Sequence, residues 1–291
     1  MIIDKNYDGV RLDRFTSSEL NMPHSLVAKL IRKGKIKING KKGEISLRLK
    51  EGDEIILPSS VEITPKQAKK GENFVSEVML LEFKQSIIFE NENFFAINKP
   101  SGLATQGGSK VKLCVDDFIL KLNPEFRLVH RLDKETSGVL LIAKNRKSAT
   151  EITSTFASKN IIKKYLAITN GVPKNQEGTI KSFLSKEKEF MVISNEGKES
   201  ITHYKVLKSN KEFALLEILI ETGRMHQIRA HLSSINCKIV GDLKYGDCLS
   251  NESKSVLPKM LLHSYSIQYE NSTITAPIPN YFDDFLYNFL S

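Results

Sequence analysis

The stretch VHRLDKETSGVLLIAK, residues 129–144, sets a dense group of ionisable side chains directly before an uninterrupted apolar run. The run at 138–143 is bounded by polar residues and rich in aliphatic side chains, which predicts a buried strand. Ionisable groups at the end of such a rigid element are often active-site groups. A salt-bridged turn that only fixes a loop is the alternative that these letters leave open.

Similar apolar runs lie on both sides of this stretch. They occur at 87–89, 94–97 and 215–220, and their aromatic and β-branched content is typical of strands. Helical patterns near Cys114–Leu122 and Ser148–Ser158 separate the runs. The sequence therefore predicts an α+β domain built on a mixed or antiparallel sheet.

An N-terminal segment, from about Val10 to Pro58, has a helical pattern followed by a strand pattern. Pro23 and Ser25 are placed to open the helix. Its apolar face carries Leu26, Val27, Leu30 and Ile31. Gly34 ends the helix, and residues 35–40 then alternate as a strand with Ile36 and Ile38 facing inward. The segment predicts a small α/β module.

A polar stretch separates this module from the rest of the chain. Residues 65–72 read PKQAKKGE, a composition typical of a linker or a domain boundary. We therefore expect a module at residues 1–61, a linker at 62–86 and a larger domain at 87–291.

The charge of the chain favours a polyanionic partner. Lysine and arginine number 43 against 34 acidic residues, for a net charge of +9. Seven basic residues lie between Lys29 and Gly43 with no acidic residue among them. Five of them are candidate contacts to RNA phosphates: Lys29, Arg32, Lys33, Lys35 and Lys37. A solvated surface face is the alternative interpretation.

The cysteines and the apolar runs exclude several classes of protein. Cys114, Cys237 and Cys248 are scattered and odd in number, so neither a disulfide framework nor a paired-cysteine metal site is predicted. A reduced cytoplasm fits best. The run at 138–143 is far too short to span a bilayer, and the N-terminus lacks the pattern of a signal peptide, so we expect no membrane segment.

Several motifs in one order resemble a known family. INKPSGL at 97–103, the stretch at 130–144, KKYLA at 163–167, TGRMHQIRAHL at 222–232 and GDLKYG at 241–246 are similar to motifs of bacterial large-subunit pseudouridine synthases of the RluA/RluC/RluD group. Gly107-Gly108-Ser109 is closer to the RluC branch, although Gln106 stands where many members have histidine. The N-terminal segment resembles the αL RNA-binding motif.

The resemblance implies a cofactor-free and metal-free isomerase acting on uridine in ribosomal RNA. It implies that Asp133 is the catalytic carboxylate, that Tyr165 lines the pocket against the base, and that Arg229 pairs with Asp133. Pseudouridine formation breaks a carbon–nitrogen bond and rejoins the uracil through carbon five, so a carboxylate beside sugar and base can serve as nucleophile or base. A guanidinium beside it would stabilise its charge and orient it.

The resemblance also implies contacts to RNA, because a stacked uridine must be flipped out before its glycosidic bond is accessible. Arg131 is the candidate to fill the vacated space. His130, His226 and Gln227 are candidates to position backbone or sugar, and Arg224 and Lys244 to contact phosphate. The expected partner is 23S ribosomal RNA or an assembly intermediate of the large subunit.

Two other functions stay open at this point. Asp133 and Glu135 lie two residues apart, so an extended chain would place both carboxylates on one side, as an RNA N-glycosidase would need. A non-catalytic ribosome-assembly factor would need only the basic module and surface. A protein kinase is excluded, because the order His130-Arg131-Leu132-Asp133 differs from the kinase motif and no glycine-rich phosphate loop is present.

Overall fold

The structure is a computed structural model that describes residues 1–20, 22, 24–58, 75–108, 111–158, 160–246 and 259–290. The chain divides into two compact units, Met1–Phe74 and Val75–Ser291. Of the predicted linker at 62–86, residues 62–74 lie outside the described part and Glu77–Gln85 form a helix. The described helices are all too short or too polar to cross a membrane.

The first unit packs two helices against a small antiparallel sheet. Its elements are a 3₁₀ turn at Lys5–Tyr7, α1 (Leu12–Glu19), α2 (His24–Arg32), β1 (Lys37–Ile38), β2 (Lys41–Lys42) and β3 (Ile55–Ile56). The strands lie in the order β2-β1-β3. Leu12, Phe15, Val27, Ile31 and Ile36 form the centre of its core. The α/β module predicted from the sequence is therefore a folded unit with its own hydrophobic core.

The second helix of this unit differs in one detail from its predicted apolar face. Val27 and Ile31 are buried, but Leu26 is 41% exposed. Successive helical residues are rotated by about 100°, so a buried stripe centred on Val27 and Ile31 leaves Leu26 at its edge. Pro23 and the side chain of Ser25 lie outside the described residues. Ile36 and Ile38 face inward as predicted, although the strand is only two residues long.

The second unit is built on a sheet of twelve strands among the described residues. Its helices are α3 (Glu77–Gln85), α4 (Val115–Leu122), α5 (Arg146–Ala157), α6 (Gln227–Ser234) and α7 (Asn280–Leu290). Its strands are β4 (Ile87–Glu90), β5 (Phe94–Lys99), β6 (Arg127–Leu128), β7 (Ser137–Ala143), β8 (Ile162–Asn170), β9 (Glu177–Glu187), β10 (Phe190–Ile193), β11 (Lys198–Ser209), β12 (Phe213–Ile220), β13 (Lys238–Ile239), β14 (Leu262–Tyr269) and β15 (Ser272–Thr275).

The main path of the sheet runs β10-β9-β11-β12-β8-β14-β7-β5-β4. Neighbours pair antiparallel except β14 and β7, which run parallel. The mixed α+β architecture predicted from the sequence is confirmed. Strand β14 joins two halves of the sheet, because β8 is its neighbour on one side and β7 on the other.

Strand β7 is the apolar run from which the fold was predicted, and all seven of its residues are buried. Leu140 and Ile142 belong to one core, whereas Val139 and Leu141 belong to a second core that contains Ile152 of α5. At Gly138, φ is +108° and a Cβ atom would lie 2.2 Å from the carbonyl oxygen of Ser264 on β14. Glycine is required there, because the two strands approach too closely for any side chain.

Candidate active site

A cavity of about 130 Å³ opens where several segments of the second unit meet. The residues before β7 form one wall, and the turn before α6 with its first residues forms another. Its lining includes Arg131, Asp133, Thr136, Tyr165, Ile220, Arg224, His226, Gln227, Arg229 and Leu262. The three residues to which the sequence assigns catalysis, Asp133, Tyr165 and Arg229, therefore lie in one cavity.

The loop that carries Asp133 is fixed by the segment that follows β5. Thr105 accepts a hydrogen bond from the backbone N–H of Leu132 at 3.1 Å and donates its own hydroxyl to the Leu132 carbonyl at 2.7 Å. The backbone N–H of Gly102 donates to the Lys134 carbonyl at 2.9 Å. Because hydrogen bonds hold the residues on both sides of Asp133, its backbone position is well defined before substrate binds.

A buried lysine completes this support. Lys99 is fully buried, and its Nζ donates to the carbonyl oxygens of Leu103, Pro100 and Lys134 at 2.8, 2.9 and 3.2 Å. Burial lowers the pKa of Lys99 to about 7, while the nearby Glu135 and Asp133 oppose that shift. Three carbonyl acceptors match the three donors of an ammonium group, so the contacts favour the charged form.

Arg229 lies between two carboxylates. Its Nε and Nη2 donate to the two carboxylate oxygens of Asp242, each at 2.7 Å, and its Nη1 donates to Oδ2 of Asp133 at 3.1 Å. The Arg229 side chain is only 6% exposed. Burial opposes ionisation of Asp242, but Arg229 and the backbone N–H groups of Lys244 and Tyr245 outweigh it and lower its pKa. The two-donor fork to Asp242 fixes the guanidinium plane, which leaves Nη1 aimed at Asp133.

Tyr165 lies on β8 and is nearly buried. Its pKa is raised to about 12, chiefly by burial and to a smaller extent by Asp133, while a hydrogen bond with Ser264 opposes the shift. The hydroxyl therefore stays protonated at neutral pH. Tyr165 offers the cavity a flat ring and a hydrogen-bond donor rather than a base.

His226 precedes α6 in a left-handed backbone conformation, with φ 51° and ψ 19°. Its Nε2 lies 3.8 Å from Oδ2 of Asp133, and its Nδ1 lies 3.1 Å from the hydroxyl oxygen of Tyr245. That hydroxyl oxygen also accepts the backbone N–H of Met191 at 2.6 Å. Burial is the largest effect on His226 and lowers its pKa, so the ring is neutral at neutral pH.

Gln227 is buried, and both ends of its amide are engaged within the protein. Its oxygen accepts from the Thr222 hydroxyl at 2.7 Å and from the Arg224 backbone N–H at 3.1 Å. Its nitrogen donates to the carbonyl of Ile201 and the hydroxyl of Thr202, at 2.9 and 3.0 Å. Gln227 thus ties the turn before α6 to strand β11.

The remaining residues predicted to contact RNA fall into three environments. Arg131 and Arg224 are exposed and line the cavity. His130 lies elsewhere: its Nε2 accepts the backbone N–H of Leu141 at 2.9 Å, and its ring centroid is 4.9 Å from that of Phe156. The candidate lysines and arginine of the first unit are all exposed: Lys29, Arg32, Lys33, Lys35 and Lys37.

Two further charged residues considered from the sequence, Glu135 and Lys244, lie close to side chains of opposite charge. Glu135 is exposed, and its carboxylate lies 3.7 Å from the Lys134 ammonium. Lys244 lies over the ring of Phe190 and 3.6 Å from the Glu189 carboxylate. The carboxylate that accompanies Asp133 around the guanidinium is thus Asp242 and not Glu135.

Asp242, Tyr245 and Lys99 belong to the site without having been expected there from the sequence. All three lie inside motifs that were noted for their order along the chain, INKPSGL at 97–103 and GDLKYG at 241–246. That order was the available signal, because neither motif shows a local pattern that ties it to Arg229 or to Asp133.

Comparisons with known proteins agree on one family. The model of the RNA pseudouridylate synthase family matches residues 93–234. Ribosomal large subunit pseudouridine synthase C of Rickettsia typhi is 39% identical over 97% of this chain and 98% of its own length. The Buchnera aphidicola protein of the same name is 33% identical, over 98% and 95%. Among solved structures, human RNA pseudouridylate synthase domain containing 4 superposes with a TM-score of 0.63 at 28% identity, covering 74% of this chain and 95% of that one.

Proposed function

This chain belongs to the RNA pseudouridylate synthase family, and on that premise we propose that it converts specific uridines of 23S ribosomal RNA into pseudouridine. The substrate follows from the relatives, which are named for the ribosomal large subunit. The observation that carries the proposal is the cavity in which Arg229 bridges Asp133 and Asp242 beside the ring of Tyr165.

Asp133 is the proposed catalytic carboxylate. Its side chain is 19% exposed, so it remains accessible from the cavity while Arg229 orients one of its oxygens. An oriented carboxylate beside the ribose can attack carbon one of the sugar, or it can remove a proton from carbon two so that uracil leaves carbon one. Either route detaches uracil without a redox step.

Tyr165 and Arg229 are the proposed partners of Asp133. The ring of Tyr165 provides a flat apolar surface on which uracil can stack, and its protonated hydroxyl can donate a hydrogen bond to the detached base. Arg229 acts on Asp133 through Nη1 while Asp242 holds the rest of the guanidinium. The uracil is thereby kept beside the carbon atom to which it must be rejoined.

The RNA is proposed to bind across the mouth of this cavity with the target uridine flipped out. Flipping costs a few kcal/mol of stacking. Arg131 is exposed at the cavity and is proposed to fill the vacated space, while Arg224 contacts phosphate. His130 remains a proposed contact to the backbone or sugar. The exposed basic residues of the first unit add sequence-independent attraction.

We propose that the substrate is free 23S ribosomal RNA or an assembly intermediate of the large subunit, modified in the cytoplasm. Cys114 and Cys237 are free, buried thiols, which fits a reducing compartment. Cys248 lies outside the described residues.

The test is incubation of the purified protein, without added cofactor, on unmodified large-subunit ribosomal RNA and on precursor particles. Pseudouridine is then labelled with carbodiimide and mapped by primer extension. The control is Asp133→Asn, which preserves the shape of the side chain and removes its charge. We expect discrete stops with the wild type and none with the variant, while RNA affinity stays nearly equal.

Three other outcomes would redirect the proposal. Full activity of Asp133→Asn would remove Asp133 from its role. An abasic site in place of pseudouridine would identify an N-glycosidase. Tight binding without any modification of RNA or particles would identify an assembly factor.

A further inference from the structure

The proposed reaction leaves one proton transfer without a residue to carry it. When uracil is rejoined through carbon five, the hydrogen on that carbon must leave, and N1 must gain a hydrogen. We propose that His226 carries this proton, taking it from carbon five at Nε2 and delivering it to N1. This inference rests on the proposed function and adds a proton-transfer residue to it.

Few groups at the cavity can do this chemistry. The ionisable residues among those that line it are Arg131, Asp133, Tyr165, Arg224, His226 and Arg229. The three guanidinium groups do not release protons near neutral pH. The Tyr165 hydroxyl stays protonated, because burial raises its pKa to about 12. Asp133 is engaged by Arg229 and is assigned to the sugar. Among these lining residues, His226 is left as the group that can gain and lose a proton near neutral pH.

Of the two imidazole nitrogens of His226, Nδ1 contacts Tyr245 and Nε2 lies near Asp133. The phenolic oxygen of Tyr245 has two lone pairs, one of which accepts the Met191 N–H. The other can accept a hydrogen bond from the Nδ1–H group of His226, 3.1 Å away. In that tautomer Nε2 is unprotonated, and it lies 3.8 Å from Oδ2 of Asp133. In that tautomer His226 is a base whose unprotonated Nε2 lies beside the Asp133 carboxylate.

The backbone conformation of His226 is an independent observation that singles out this residue. A left-handed conformation is uncommon outside glycine, although histidine, asparagine and aspartate adopt it more often than most residues. The next residue is fixed as well, because the buried amide of Gln227 ties the turn to β11. With the backbone in this conformation, Nε2 lies 3.8 Å from Oδ2 of Asp133.

The step balances without any co-reactant. Once carbon one of the sugar is bonded to carbon five, that carbon still holds its hydrogen, and a double bond lies between C6 and N1. Nε2 accepts the proton from carbon five, the electrons of the C–H bond form a C5–C6 double bond, and the C6–N1 electrons move to N1. The imidazolium then returns the proton to N1. Asp133, 3.8 Å away, stabilises the imidazolium while it exists.

The charges around His226 decide the pH range in which it works. Burial lowers its pKa most strongly, Arg229 and Lys244 lower it further, and Asp133 and Asp242 raise it. The net direction of the pKa shift is downward, so the ring is neutral at neutral pH. It becomes protonated, and so unable to accept a proton, only in more acidic solution. The rate of the chemical step should therefore fall on the acid side.

The experiment compares wild type with His226→Asn and His226→Gln in single-turnover reactions on large-subunit ribosomal RNA transcripts. The transcripts carry either hydrogen or deuterium at carbon five of uridine. Asparagine tolerates the left-handed backbone, and glutamine preserves more of the side-chain length, so at least one variant should keep the turn. His203→Gln, on the exposed side of the sheet, is the matched control.

We expect both His226 variants to slow by on the order of 100-fold or more, with RNA affinity nearly unchanged. The deuterium isotope effect should be larger in the variants than in wild type, and the acid limb of the pH profile should disappear. Rates within a few-fold of wild type, or a loss of rate without a larger isotope effect, would overturn the role of His226. A wild type that is inactive both on these transcripts and on precursor particles would instead contradict the proposed function itself.

Discussion

The basic residues expected to act in the two units lie in different environments. In the first unit, the basic residues between Lys29 and Lys42 are all exposed. In the second, Arg229 is 6% exposed and donates from three nitrogens to two carboxylates. Exposed charges act over a distance of about 10 Å and are screened by salt. A buried fork acts only at contact and depends on geometry.

The difference teaches that a positively charged side chain can be exchanged for another in one unit and not in the other. A lysine on the first unit contributes by its charge, so its exact place matters little. Arg229 contributes by its plane and by the direction of each N–H, so even a lysine there would fail. The comparison can be tested by removing charge from each environment in turn.

The largest effect should come from Asp242→Asn. The Asp242 side chain is fully buried, and removing its charge leaves Arg229 without its main partner. We expect the free energy of unfolding to fall by about 3 kcal/mol and the isomerisation rate to fall on the order of 100-fold, because Nη1 loses its aim at Asp133. Denaturant unfolding and single-turnover kinetics measure the two losses.

The control is Glu199→Gln, which breaks the exposed pair between Lys181 and Glu199. Its cost should be within about 0.5 kcal/mol, with no change in rate. Equal losses in the two variants would show that burial does not distinguish the two kinds of ion pair in this protein.

A smaller effect should follow from acid, and it should fall on the second unit. Burial lowers the pKa of His130 to about 3 and of His231 and His263 to about 4. In the unfolded chain these rings titrate near 6.5, so the unfolded state binds more protons between 6.5 and 4. Their contribution to stability is complete above pH 6.5 and is lost as the pH falls through that window, by roughly 1 kcal/mol per ring for each pH unit.

Hydrogen exchange of the full chain, corrected for the intrinsic rates, measures this loss segment by segment. Protection of 137–143 and 227–234 should decrease from pH 6.5 to 5 more than protection of 27–38. His231→Gln should make the decrease shallower, because one of the titrating rings is gone. Equal losses in all three segments would contradict the assignment to buried histidines.

The smallest effect on the chemical step should come from Lys29, Lys33 and Lys35 changed together to alanine. We expect weaker RNA binding and a salt dependence that is shallower by about 0.7–0.9 logarithmic units per lost phosphate contact. The rate at saturating RNA should be unchanged. Binding measured at several salt concentrations provides the slope.

The matched control removes the same charge from exposed lysines of the second unit, Lys147, Lys208 and Lys211. Its slope should stay close to wild type. If the two triple variants behave alike, the basic residues of the first unit act only through net charge and not through contact.

The parts of the fold that were predictable are those in which burial leaves a continuous trace in the sequence. Strand β7 is covered on both faces, so each of its residues is apolar or small, and the run at 138–143 is readable. The same holds for much of β5. Long strands with one exposed face leave no such run. Strands β9 and β11 consist mostly of polar and charged residues, so no apolar run marks them in the sequence.

The site was predictable in part for a different reason. Nothing local connects Asp133, Tyr165 and Arg229, which lie on a loop, a strand and a helix, and only the order of motifs brought them together. Asp242 was missed because a buried ion pair across the end of a helix has no sequence period. Nor does the sequence show that the ring of His130, a predicted RNA contact, packs on Phe156 and accepts the backbone N–H of Leu141.

The place of β14 in the sheet has a consequence for how the enzyme is made on the ribosome. Asp133 precedes β7 in one half of the sheet, whereas Tyr165 and Arg229 belong to the other half, and β14 joins the halves. Domains begin to fold as the chain is synthesised from its N-terminus. A nascent chain that has not yet exposed Leu262–Tyr269 outside the exit tunnel already holds Asp133, Tyr165 and Arg229, but it lacks the strand that joins the two halves and Leu262, which lines the cavity. The site can therefore form only after β14 has been synthesised and has joined the sheet.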